Sequence, residues 1–501
     1  MTPPAATGSG PRSPSVAVPW PVLLVAALMV GVLLLLSGAY GFHRDELYFV
    51  VAGRHPALGY VDQPALTPLL SAASVALLGL TATAVRILPA LAMGLVVILT
   101  ALMAADLGGS RRAQLIAAVI AALSGYLAAG HADSTATYDL LAWAVVLWLV
   151  VKLLAGGDPR LWLGVGVATG IALENKDTIV FLGTGLLVGL VLCRRWDVFR
   201  SPWVWAALGI AVLLWLPNLA WQAMNGWPQI TMAGSISGDA GDNRASLIPQ
   251  LLLAAGLLLF PVVAAGWAWL LVAAAARPWR PIGIAGIVAV ALVFVSGGKG
   301  YYAIGIVAPY MAAAGGLVDR WMARGHGRVK GLGFIVLAAL SGALVAYVVL
   351  PVLSPAAFAR STLPAADPVE AEQVGWPELA ATVEGVVGTL SPADQARAVI
   401  VTGNYGEGGA LELLGTGLPP VYSGHNAYWD WGPPPADRDV VIRVGDWPAS
   451  FWNRFFDDCE VAATIENSLG IDNQEEGQHI YVCRGMHAPW ATIWPEFRHL
   501  D

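Results

Sequence analysis

Long apolar runs separated by short polar segments dominate the first 350 residues of the chain. A helix needs about 20 apolar residues to cross a bilayer, and this pattern predicts eleven spans. They lie at about residues 17–40, 84–105, 113–129, 139–155, 161–175, 178–193, 203–221, 247–275, 282–296, 302–319 and 332–352. The predicted fold is therefore a polytopic α-helical membrane protein.

The N-terminal segment differs from the apolar runs that follow it. Residues 1–16 are rich in Pro, Gly, Ser and Thr, which predicts a disordered cytoplasmic tail. The first apolar run is too long for a typical signal-peptide core, and no Ala-x-Ala-like cleavage site follows it. We therefore expect this run to be retained as a membrane anchor.

Positively charged loop residues predict the orientation of the chain. With the N-terminus in the cytoplasm, fourteen Lys and Arg residues of segment 1–354 fall on the cytoplasmic side and six on the outer side. This asymmetry follows the rule that cytoplasmic loops are enriched in Lys and Arg. An odd number of spans then places residues 355–501 on the extracytoplasmic side.

The segment that follows the first span, residues 41–82, is predicted not to cross the membrane. Leu47, Val50 and Val51 recur at helical spacing opposite charged positions, which predicts a short amphipathic helix lying on the outer surface. Residues 66–80 are apolar and are expected to dip into the membrane without spanning it. Counting this segment as a span would invert the orientation of every later loop.

Composition and charge indicate a second region, which is exposed to water rather than to lipid. Over the whole chain 57% of residues are hydrophobic and 12% are charged, and the mean hydropathy is +0.65. Residues 1–354 hold 20 Lys and Arg against 13 Asp and Glu, a net charge of +7, whereas residues 355–501 hold 7 against 21, a net charge of −14. The acidic part argues against nucleic acid as a partner. The excess of Arg over Lys, with many Ala, Gly and Val, indicates a bacterial source.

The acidic C-terminal region, residues 355–501, is large enough for one core. Apolar stretches at 398–403, 418–424 and 439–445 predict strands, and a helical stretch lies near 408–415, which together predict a small α/β domain. This region also contains two of the three cysteines. In an oxidising compartment Cys459 and Cys483 are expected to form one disulfide, with two free thiols as the alternative, and Cys193 is expected to be free.

Four sequence segments resemble a known family. The first is Asp45-Glu46 after the first span, followed by the segment YVDQP at 60–64. The others are HADSTATYDLLAW (131–143), GGKGYYAIGIVAPYMAAAGG (297–316) and the C-terminal segment GNYGEGGALELLGTGLPPVYSGHNAYWDWGPP. In order and position these segments resemble polyprenyl-phosphate-dependent glycosyltransferases of the protein O-mannosyltransferase and aminoarabinose transferase superfamily, over roughly residues 20–350. The resemblance implies the C-type glycosyltransferase fold.

Two positions of the first loop depart from the family pattern. Ala65 stands where a second proline is common, and the neutral Gln63 stands where a basic residue or His is common. These departures concern recognition of the donor more than the class of reaction.

The resemblance implies transfer of a sugar from a polyprenyl phosphate to an acceptor hydroxyl, with inversion at the anomeric carbon. A hydroxyl is a poor nucleophile and needs a carboxylate as general base. Asp45 matches the first acidic residue of the family motif and is the predicted base. Glu46 is predicted to share the catalytic site, where it could bond the acceptor or the scaffold or help to hold a cation. The alternative for both acids is a helix N-terminus, which favours negative charge.

The leaving phosphate requires a fixed cation because negative charge develops on it. Lys299 lies at the outer end of the ninth span between two glycines, and Tyr301 and Tyr302 follow it. We predict that these three residues bind the substrate. The alternative is an interfacial Lys beside an aromatic belt.

Further polar residues are candidates for substrate binding. Arg44 could contact the donor phosphate or anionic lipid, and Asp139 could instead cap its helix. The remaining candidates are Asp62, with weaker cases for His131, Asp133 and Lys176. The acids and His131 follow no recognised zinc spacing, so no cofactor is predicted with certainty and a divalent cation stays open.

The Gly-rich loop GNYGEGG lacks the spacing and the lysine of phosphate-binding loops, so we interpret it as a turn that could contact the acceptor. Four nearby side chains could stack on sugars, although core packing is the alternative for most of them. They are His425, Tyr428, Trp429 and Trp431.

The functional hypothesis is an integral glycosyltransferase of a bacterial cell membrane. Its predicted partners are a polyprenyl-phosphate-linked hexose or pentose as donor, membrane lipids, and a protein, lipid or polysaccharide of the cell envelope as acceptor. Two alternatives are a polytopic transporter of an envelope precursor and a non-catalytic sugar-binding assembly factor. Ionisable residues concentrate in the outer loops rather than at the middle of spans, which favours the enzyme over the transporter.

Overall fold

The computed structural model describes residues 18–445 and 447–500, so the predicted tail at 1–16 lies outside the described residues. The N-terminal part is a bundle of helices. These are α1 (Trp20–Leu36), α2 (Arg44–Arg54), α3 (Leu66–Leu78), α4 (Ala82–Asp106), α5 (Arg111–Ala122), α6 (Tyr126–His131), α7 (Thr135–Leu154), α8 (Leu161–Leu173), α9 (Ile179–Leu192), α10 (Trp196–Phe199), α11 (Pro202–Met224), α12 (Pro228–Gly238), α13 (Ala240–Ala254), α14 (Phe260–Val272), α15 (Arg280–Ser296), α16 (Val307–Ala323) and α17 (Gly327–Val349). Short 3-10 helices connect some of them, at Leu257–Leu259, Ala274–Trp279 and Gly300–Ile306.

The described helices agree with the predicted class of membrane protein. Six helical segments are long and apolar enough to cross a membrane, or up to seven if one bent pair counts as a single span. The helices α1, α3, α8 and α9 are apolar but shorter. The polytopic helical fold is therefore confirmed, whereas the predicted number of eleven spans is not.

One predicted span is broken in the structure. The apolar run at 247–275 divides into α13 and a second helical segment, Leu257–Val272, which meet at a bend of 84°. At the break Gly256 has a φ of +84°, a backbone conformation that glycine adopts without the steric cost that other residues incur. The hydrophobic pattern continues through this residue, so it did not reveal the bend.

The helix α2 forms where a short amphipathic helix was predicted, but it does not lie on an open surface. Its residues Leu47, Val50 and Val51 are fully buried. The helix packs against α3 on one side and against a helix of the C-terminal region on the other. The expectation of a surface location is therefore corrected: protein covers both faces of α2.

The C-terminal region contains short helices around a five-stranded sheet. Its helices are α18 (Pro355–Ala359), α19 (Leu363–Ala366), α20 (Pro368–Ala371), α21 (Trp376–Thr389), α22 (Pro392–Arg397), α23 (Tyr405–Leu414), α24 (Ala427–Asp430), α25 (Ala449–Trp452) and α26 (Trp490–Ile493), with a 3-10 helix at Trp494–Phe497. Its strands are β1 (Ala398–Thr402), β2 (Val421–Ser423), β3 (Val440–Val444), β4 (Phe456–Thr464) and β5 (His479–Met486). The predicted small α/β domain is confirmed, and the three strands expected from the sequence are present.

The order of the strands in this sheet is β2-β1-β3-β5-β4. The strands β2, β1 and β3 run parallel, whereas β5 is antiparallel to both β3 and β4. Every residue of β1 and β3 is buried, as expected for central strands covered on both faces. The structure joins Cys459 of β4 and Cys483 of β5 by a disulfide, and Cys193 is a free cysteine.

The sheet domain and the helix bundle share one apolar core. Phe42 and Leu47 from the bundle pack in the same cluster as Trp376 and Leu411 of the domain. The Trp376 indole also donates a hydrogen bond to the Phe42 carbonyl at 2.9 Å. The domain therefore covers one end of the bundle, which we call the domain end, and encloses α2 there.

Candidate functional site

The four residues at the start of α2, His43 to Glu46, are held in a reciprocal capping arrangement. The Asp45 N–H donates to Nδ1 of His43 at 3.2 Å, and the His43 N–H donates to Oε2 of Glu46 at 2.8 Å. Such caps satisfy backbone N–H groups that the first helical turn leaves without partners. The local sequence thereby fixes the directions in which Asp45 and Glu46 leave the helix.

Asp45 lies at the domain end of the bundle with a side chain that is 32% exposed. Its Oδ1 accepts a hydrogen bond from the Tyr405 hydroxyl at 2.8 Å. Burial raises the pKa of this carboxyl, but His43, Arg44, the Tyr405 hydroxyl and Lys299 favour the charged form, and the net pKa lies below its usual value. Asp45 is therefore ionised at neutral pH and can accept a proton.

Lys299 is the cation that the sequence analysis paired with Asp45. Its positive charge is one of those that lower the pKa of Asp45, after those of His43 and Arg44. Its side chain is half-buried, and it precedes the 3-10 helix that leads into α16. At Gly300 a Cβ atom would lie 2.7 Å from the Ser246 hydroxyl and 2.9 Å from the Leu247 Cα, so glycine permits the close approach of this segment to α13.

Glu46 has a different environment from its neighbour. The carboxylate is fully buried and forms an ion pair with Arg86, whose Nε and Nη2 each donate at 2.8 Å. The Asp133 N–H donates to the same carboxylate at 3.0 Å. These bonds occupy both oxygens, so the geometry favours a bond to the scaffold, which the sequence analysis left open for Glu46, over a bond to the acceptor.

Arg86 connects the elements around this ion pair and was missed in the sequence analysis. It is fully buried in α4 and donates to the carbonyls of Ser37 and Gly41 at 2.7 and 2.9 Å. It also donates to Oε1 of Gln373 in the C-terminal domain at 3.1 Å. An arginine inside an apolar helix usually marks a functional site or a buried ion pair. The position of Arg86 in the apolar run of α4 could therefore have identified it from the sequence.

A polar cavity of about 250 Å³ opens at the domain end. Asp62, Gln63, Lys176 and Tyr302 are among the residues that line it. Burial raises the pKa of Asp62 to about 7, and the hydrogen bond from the Tyr48 hydroxyl, at 2.9 Å, lowers it only in part. Because the Asp45 charge also raises this pKa, Asp62 lies within electrostatic reach of Asp45.

Lys176 supplies a second positive charge to this cavity. Its ammonium donates to the Thr135 hydroxyl at 3.0 Å. It also lies 4.9 and 4.7 Å from the ring centroids of Tyr301 and Tyr302, within the range of cation–π contacts. Lys176 was a weaker prediction, but the structure places it beside both tyrosines and in the polar cavity.

The acids predicted near the second outer loop are enclosed in protein. Asp133 accepts hydrogen bonds from the Ser71 hydroxyl and, at 2.8 Å, from the Tyr138 hydroxyl, and burial raises its pKa to about 7. Asp139 is buried in α7 and accepts from the Trp143 indole at 3.1 Å. Ser134 caps this helix, so Asp139 does not.

His131 is also buried, and its Nε2 lies 3.5 Å from Oε1 of Glu370 in the C-terminal domain. The contacts of Asp133, Asp139 and His131 therefore favour structural roles. Within the described residues no group of three or more His, Cys, Asp or Glu is arranged to hold a metal ion.

A larger apolar cavity, of about 650 Å³, lies between α13, α14, α15 and the start of α16. Arg244, Trp267 and Tyr310 are among its lining residues, and the rest are mostly aliphatic. Phe294 and Val295 at the end of α15 line this cavity, whereas Ser296 and Gly298 line the polar cavity. The two cavities therefore approach each other at the end of α15, next to Lys299.

The Gly-rich segment of the C-terminal domain begins α23, where Asn404 and Glu407 form a second capping box. This corrects the interpretation of the segment as a turn. Its first helical residue, Tyr405, is the side chain that bonds Asp45. The sequence analysis missed Tyr405 because no short-range pattern brings residue 405 to residue 45.

The four aromatic candidates of this domain lie in packed environments. His425 stacks between Tyr405 and His499 with centroid distances of 4.6 Å to each. Tyr428 is buried, and the Trp429 indole donates to the Trp494 carbonyl at 3.0 Å. Trp431 stacks on His55 at 4.3 Å. These contacts favour the alternative of core packing.

Comparison with known proteins connects this arrangement to a family. Residues 62–221 match the family model described as dolichyl-phosphate-mannose-protein mannosyltransferase. This stretch includes Asp62 and Lys176 but neither Asp45 nor Lys299. Among curated protein sequences no match is found.

The fold is similar to that of a solved membrane protein over almost its full length. The structure of ArnT from Cupriavidus metallidurans bound to undecaprenyl phosphate matches with a TM-score of 0.59 and 15% identity, over 93% of this chain and 98% of that chain. The same protein in the apo state matches with a TM-score of 0.60 and 16% identity, over 92% and 97%. At these identities the likeness shows the fold. The resemblance seen in the sequence is thereby confirmed, in a family match over part of the chain and in the C-type glycosyltransferase fold of a multi-pass membrane protein.

Proposed function

We propose that this chain is a membrane glycosyltransferase that moves a sugar from a polyprenyl phosphate to a hydroxyl group of an envelope acceptor. Its donor is already linked to a lipid, so the reaction requires no nucleotide sugar. The observation that carries the proposal is a partly exposed, ionised carboxylate at the domain end, Asp45, whose charged form the Lys299 ammonium helps to favour. These two groups come from segments far apart in sequence.

In the proposed reaction Asp45 removes the proton of the acceptor hydroxyl. The acceptor oxygen then attacks the anomeric carbon of the sugar, and the bond between that carbon and the phosphate oxygen breaks. The electron pair of this bond leaves with the polyprenyl phosphate. A single displacement of this kind inverts the anomeric centre. Asp45 suits the role of base because its lowered pKa keeps it ionised at neutral pH.

Two ammonium groups are available for the leaving phosphate. Lys299 favours the charged form of Asp45, and Lys176 lies in the polar cavity beside Tyr301 and Tyr302. Fixed cations stabilise the charge that develops on a leaving group, most strongly where water is partly excluded. Asp62 also lines this cavity. Because its pKa is about 7, its carboxyl can donate a hydrogen bond to a sugar hydroxyl when protonated and accept one when ionised.

The two neighbouring cavities support a donor with a polar head and an apolar tail. The polar cavity has the chemistry for a sugar phosphate, and the apolar cavity has the chemistry for isoprene units. They approach each other at the end of α15, where the phosphate of such a donor would lie. Lys299, three residues after the end of α15, is placed to meet it.

We further propose that the domain end faces the outside of a bacterial cell membrane, with the N-terminus in the cytoplasm. The distribution of Lys and Arg among the loops supports this orientation. The residues counted on the outer side include Arg44, Lys176 and Lys299, which are all candidates for the site, so the charge count supports a site on the outer side.

The test is a transfer assay with the full chain in lipid nanodiscs. Polyprenyl-phosphate-linked hexoses and pentoses serve as donors, and envelope fractions serve as acceptors. We expect the wild type to transfer a sugar and Asp45→Asn to lose the activity. Asp242→Asn is the matched control, because Asp242 is an exposed acid at the start of α13. Folding of each variant is followed by its thermal unfolding.

Other results would refute the proposal. Solute flux in proteoliposomes without sugar transfer would indicate a transporter. Binding of donor or acceptor without transfer, together with an Asp45→Asn protein that still complements a deletion strain, would indicate an assembly factor. Equal activity of wild type and a folded Asp45→Asn protein would remove Asp45 as the base.

A further inference from the structure

The C-terminal domain reaches the candidate base directly. Tyr405 begins α23 and donates its hydroxyl to Oδ1 of Asp45 at 2.8 Å, across a sequence separation of 360 residues. Tyr405 itself is buried, with 8% of its surface exposed. This bond is therefore a direct contact between the domain and the site in the bundle, and its donor is buried.

The ring of Tyr405 is held on several sides. The rings of Tyr48 and His425 lie 4.6 Å from its centroid, and the Arg44 guanidinium lies 5.3 Å from it. The Tyr405 N–H also donates to Nδ1 of His425 at 3.3 Å. A ring packed in this way has one orientation, so its hydroxyl can bond only a group placed where Asp45 lies.

Two glycines of α23 set the distance between this helix and α2. A Cβ atom at Gly406 would lie 2.7 Å from the Cβ of Arg44. A Cβ atom at Gly409 would lie 2.9 Å from the Cβ of Leu47 and 3.0 Å from its carbonyl carbon. Both distances are shorter than ordinary van der Waals contact, so the approach that brings Tyr405 to Asp45 requires glycine at these positions.

The same domain also holds the neighbours of Asp45. Oε2 of Glu372 lies 3.2 Å from Nε2 of His43 and 3.4 Å from Nε of Arg44. Arg44 also donates to Oε1 of Gln474. Three consecutive residues of α2 and its cap, His43 to Asp45, therefore contact the C-terminal domain through polar groups.

We propose that Tyr405 is a positioning residue for the Asp45 carboxylate and that the C-terminal domain is for this reason part of the catalytic unit. The proposal rests on the function proposed above. The bond holds Oδ1 in place, so the other oxygen faces the acceptor in a fixed direction. A hydrogen bond to the ionised form also favours that form, so the domain keeps the base ready to accept a proton.

The charge state of Asp45 depends on every ionisable group that faces it. His43 and Arg44 belong to the start of its own helix, and Tyr405 belongs to α23. Lys299 and Tyr301 face it from the segment before α16, Asp62 from the loop after α2, and Glu372 acts through His43 and Arg44. Replacement of Tyr405 removes one donor while the other groups stay in place.

The test compares Tyr405→Phe with Tyr422→Phe in nanodiscs. Tyr422 lies in β2 of the same domain against Trp494, away from α2, so its replacement is the matched control. We measure kcat and the KM for donor between pH 4 and pH 9. For Tyr405→Phe we expect kcat to fall about tenfold with little change in KM. We expect the acidic limb of the kcat profile to move upward by about one pH unit.

A second variant and a second measurement keep the proposal testable. Glu372→Gln retains the size of the side chain but removes a negative charge near Asp45, so it should move the acidic limb in the opposite direction by a smaller amount. Labelling of Asp45 by a water-soluble carbodiimide, followed by mass spectrometry, reports the titration of this carboxyl without any activity. Its midpoint should rise in Tyr405→Phe and stay unchanged in Tyr422→Phe.

The outcomes separate the two proposals. A folded Tyr405→Phe protein with the acidic limb and labelling midpoint of the wild type would overturn the role of Tyr405. A general loss of activity with an unchanged pH profile would show a merely structural contact and would also overturn it. A wild type that transfers no sugar, but whose labelling midpoint depends on Tyr405, would refute the proposed function and leave the contact established.

Discussion

The two sides of α2 give neighbouring acids opposite environments. On the side that faces the C-terminal domain, Asp45 is partly exposed and bonded by one tyrosine hydroxyl, and nearby positive charges favour its ionised form. On the side that faces the bundle, Glu46 is fully buried and both its oxygens are bonded, chiefly to Arg86. Consecutive residues of a helix point about 100° apart, so one segment can serve both sides.

This difference fits the proposed division between a general base and a supporting residue. A base has to meet a substrate and therefore needs an oxygen that is not already saturated by protein donors. A positioning residue needs the reverse, because a buried charge is stable only when its partners surround it. The contrast between Asp45 and Glu46 therefore predicts which replacement damages activity and which damages stability.

The largest effect is expected for Asp45→Asn. Loss of a general base lowers the rate by about 10²- to 10⁴-fold, and the partly exposed position should leave the thermal unfolding temperature almost unchanged. Rates and unfolding curves of the purified variant in nanodiscs measure both quantities. A large drop in the unfolding temperature would show that Asp45 also stabilises the fold, which would remove the contrast with Glu46.

The opposite pattern is expected for Glu46→Gln. This change leaves the Arg86 guanidinium buried without its counter-charge, which costs about 3–5 kcal/mol of folding free energy. The additional change Arg86→Met should recover part of that loss, because it removes the unpaired charge. Chemical unfolding of the single and double variants tests the coupling. A folded single variant with wild-type stability would contradict the supporting role.

A smaller loss of activity is expected for Lys299→Ala, which tests the side of α2 on which Asp45 lies. Removal of one group that stabilises developing charge lowers turnover by about 10²-fold, and acceptor binding should change less. Lys330→Ala serves as the control, since Lys330 lies in α17 and donates to the Trp321 carbonyl away from the site. Weakened acceptor binding at unchanged turnover would contradict the assigned role.

The smallest effect concerns Glu370, which lies on the side of Glu46 and Arg86. Burial raises its pKa to about 8. The folded state therefore holds this proton more tightly than the unfolded state, whose pKa is near the ordinary value. The stabilisation is complete below about pH 4 and is lost as the pH rises through about 8. Glu370→Gln should flatten this decline between pH 5 and pH 9, and unchanged unfolding curves would contradict it.

Most of the helical architecture could be predicted from the sequence. Periodic and apolar runs located the helices, and the outer-loop motifs singled out Asp45 and Lys299 as candidates. Their signals are local, because a charge beside an apolar run is visible within a few residues. The bend at Gly256 was not predicted, since a single glycine inside an apolar run does not by itself interrupt the pattern.

What the sequence did not reveal depends on long-range packing. Glu46 and Asp45 are adjacent, so a motif match assigned them to one site, and only the position of Arg86 distinguishes them. The location of α2 on an open surface was predicted from its amphipathic pattern, but the domain contributes the second covering layer. Tyr405 belongs to a segment that looks like a turn, and its role exists only because α23 packs on α2.

The bend beside Gly256 has a consequence for large ligands. The chain turns by 84° there, and Ile287 and Val295, two residues that line the apolar cavity, are 48% and 74% exposed. If the proposed donor binds in this cavity, we expect its hydrocarbon chain to enter from the side, along these exposed residues. Only the first few isoprene units next to the bound phosphate would then contact the protein. A longer polyprenyl chain should therefore bind with about the same affinity as a short one.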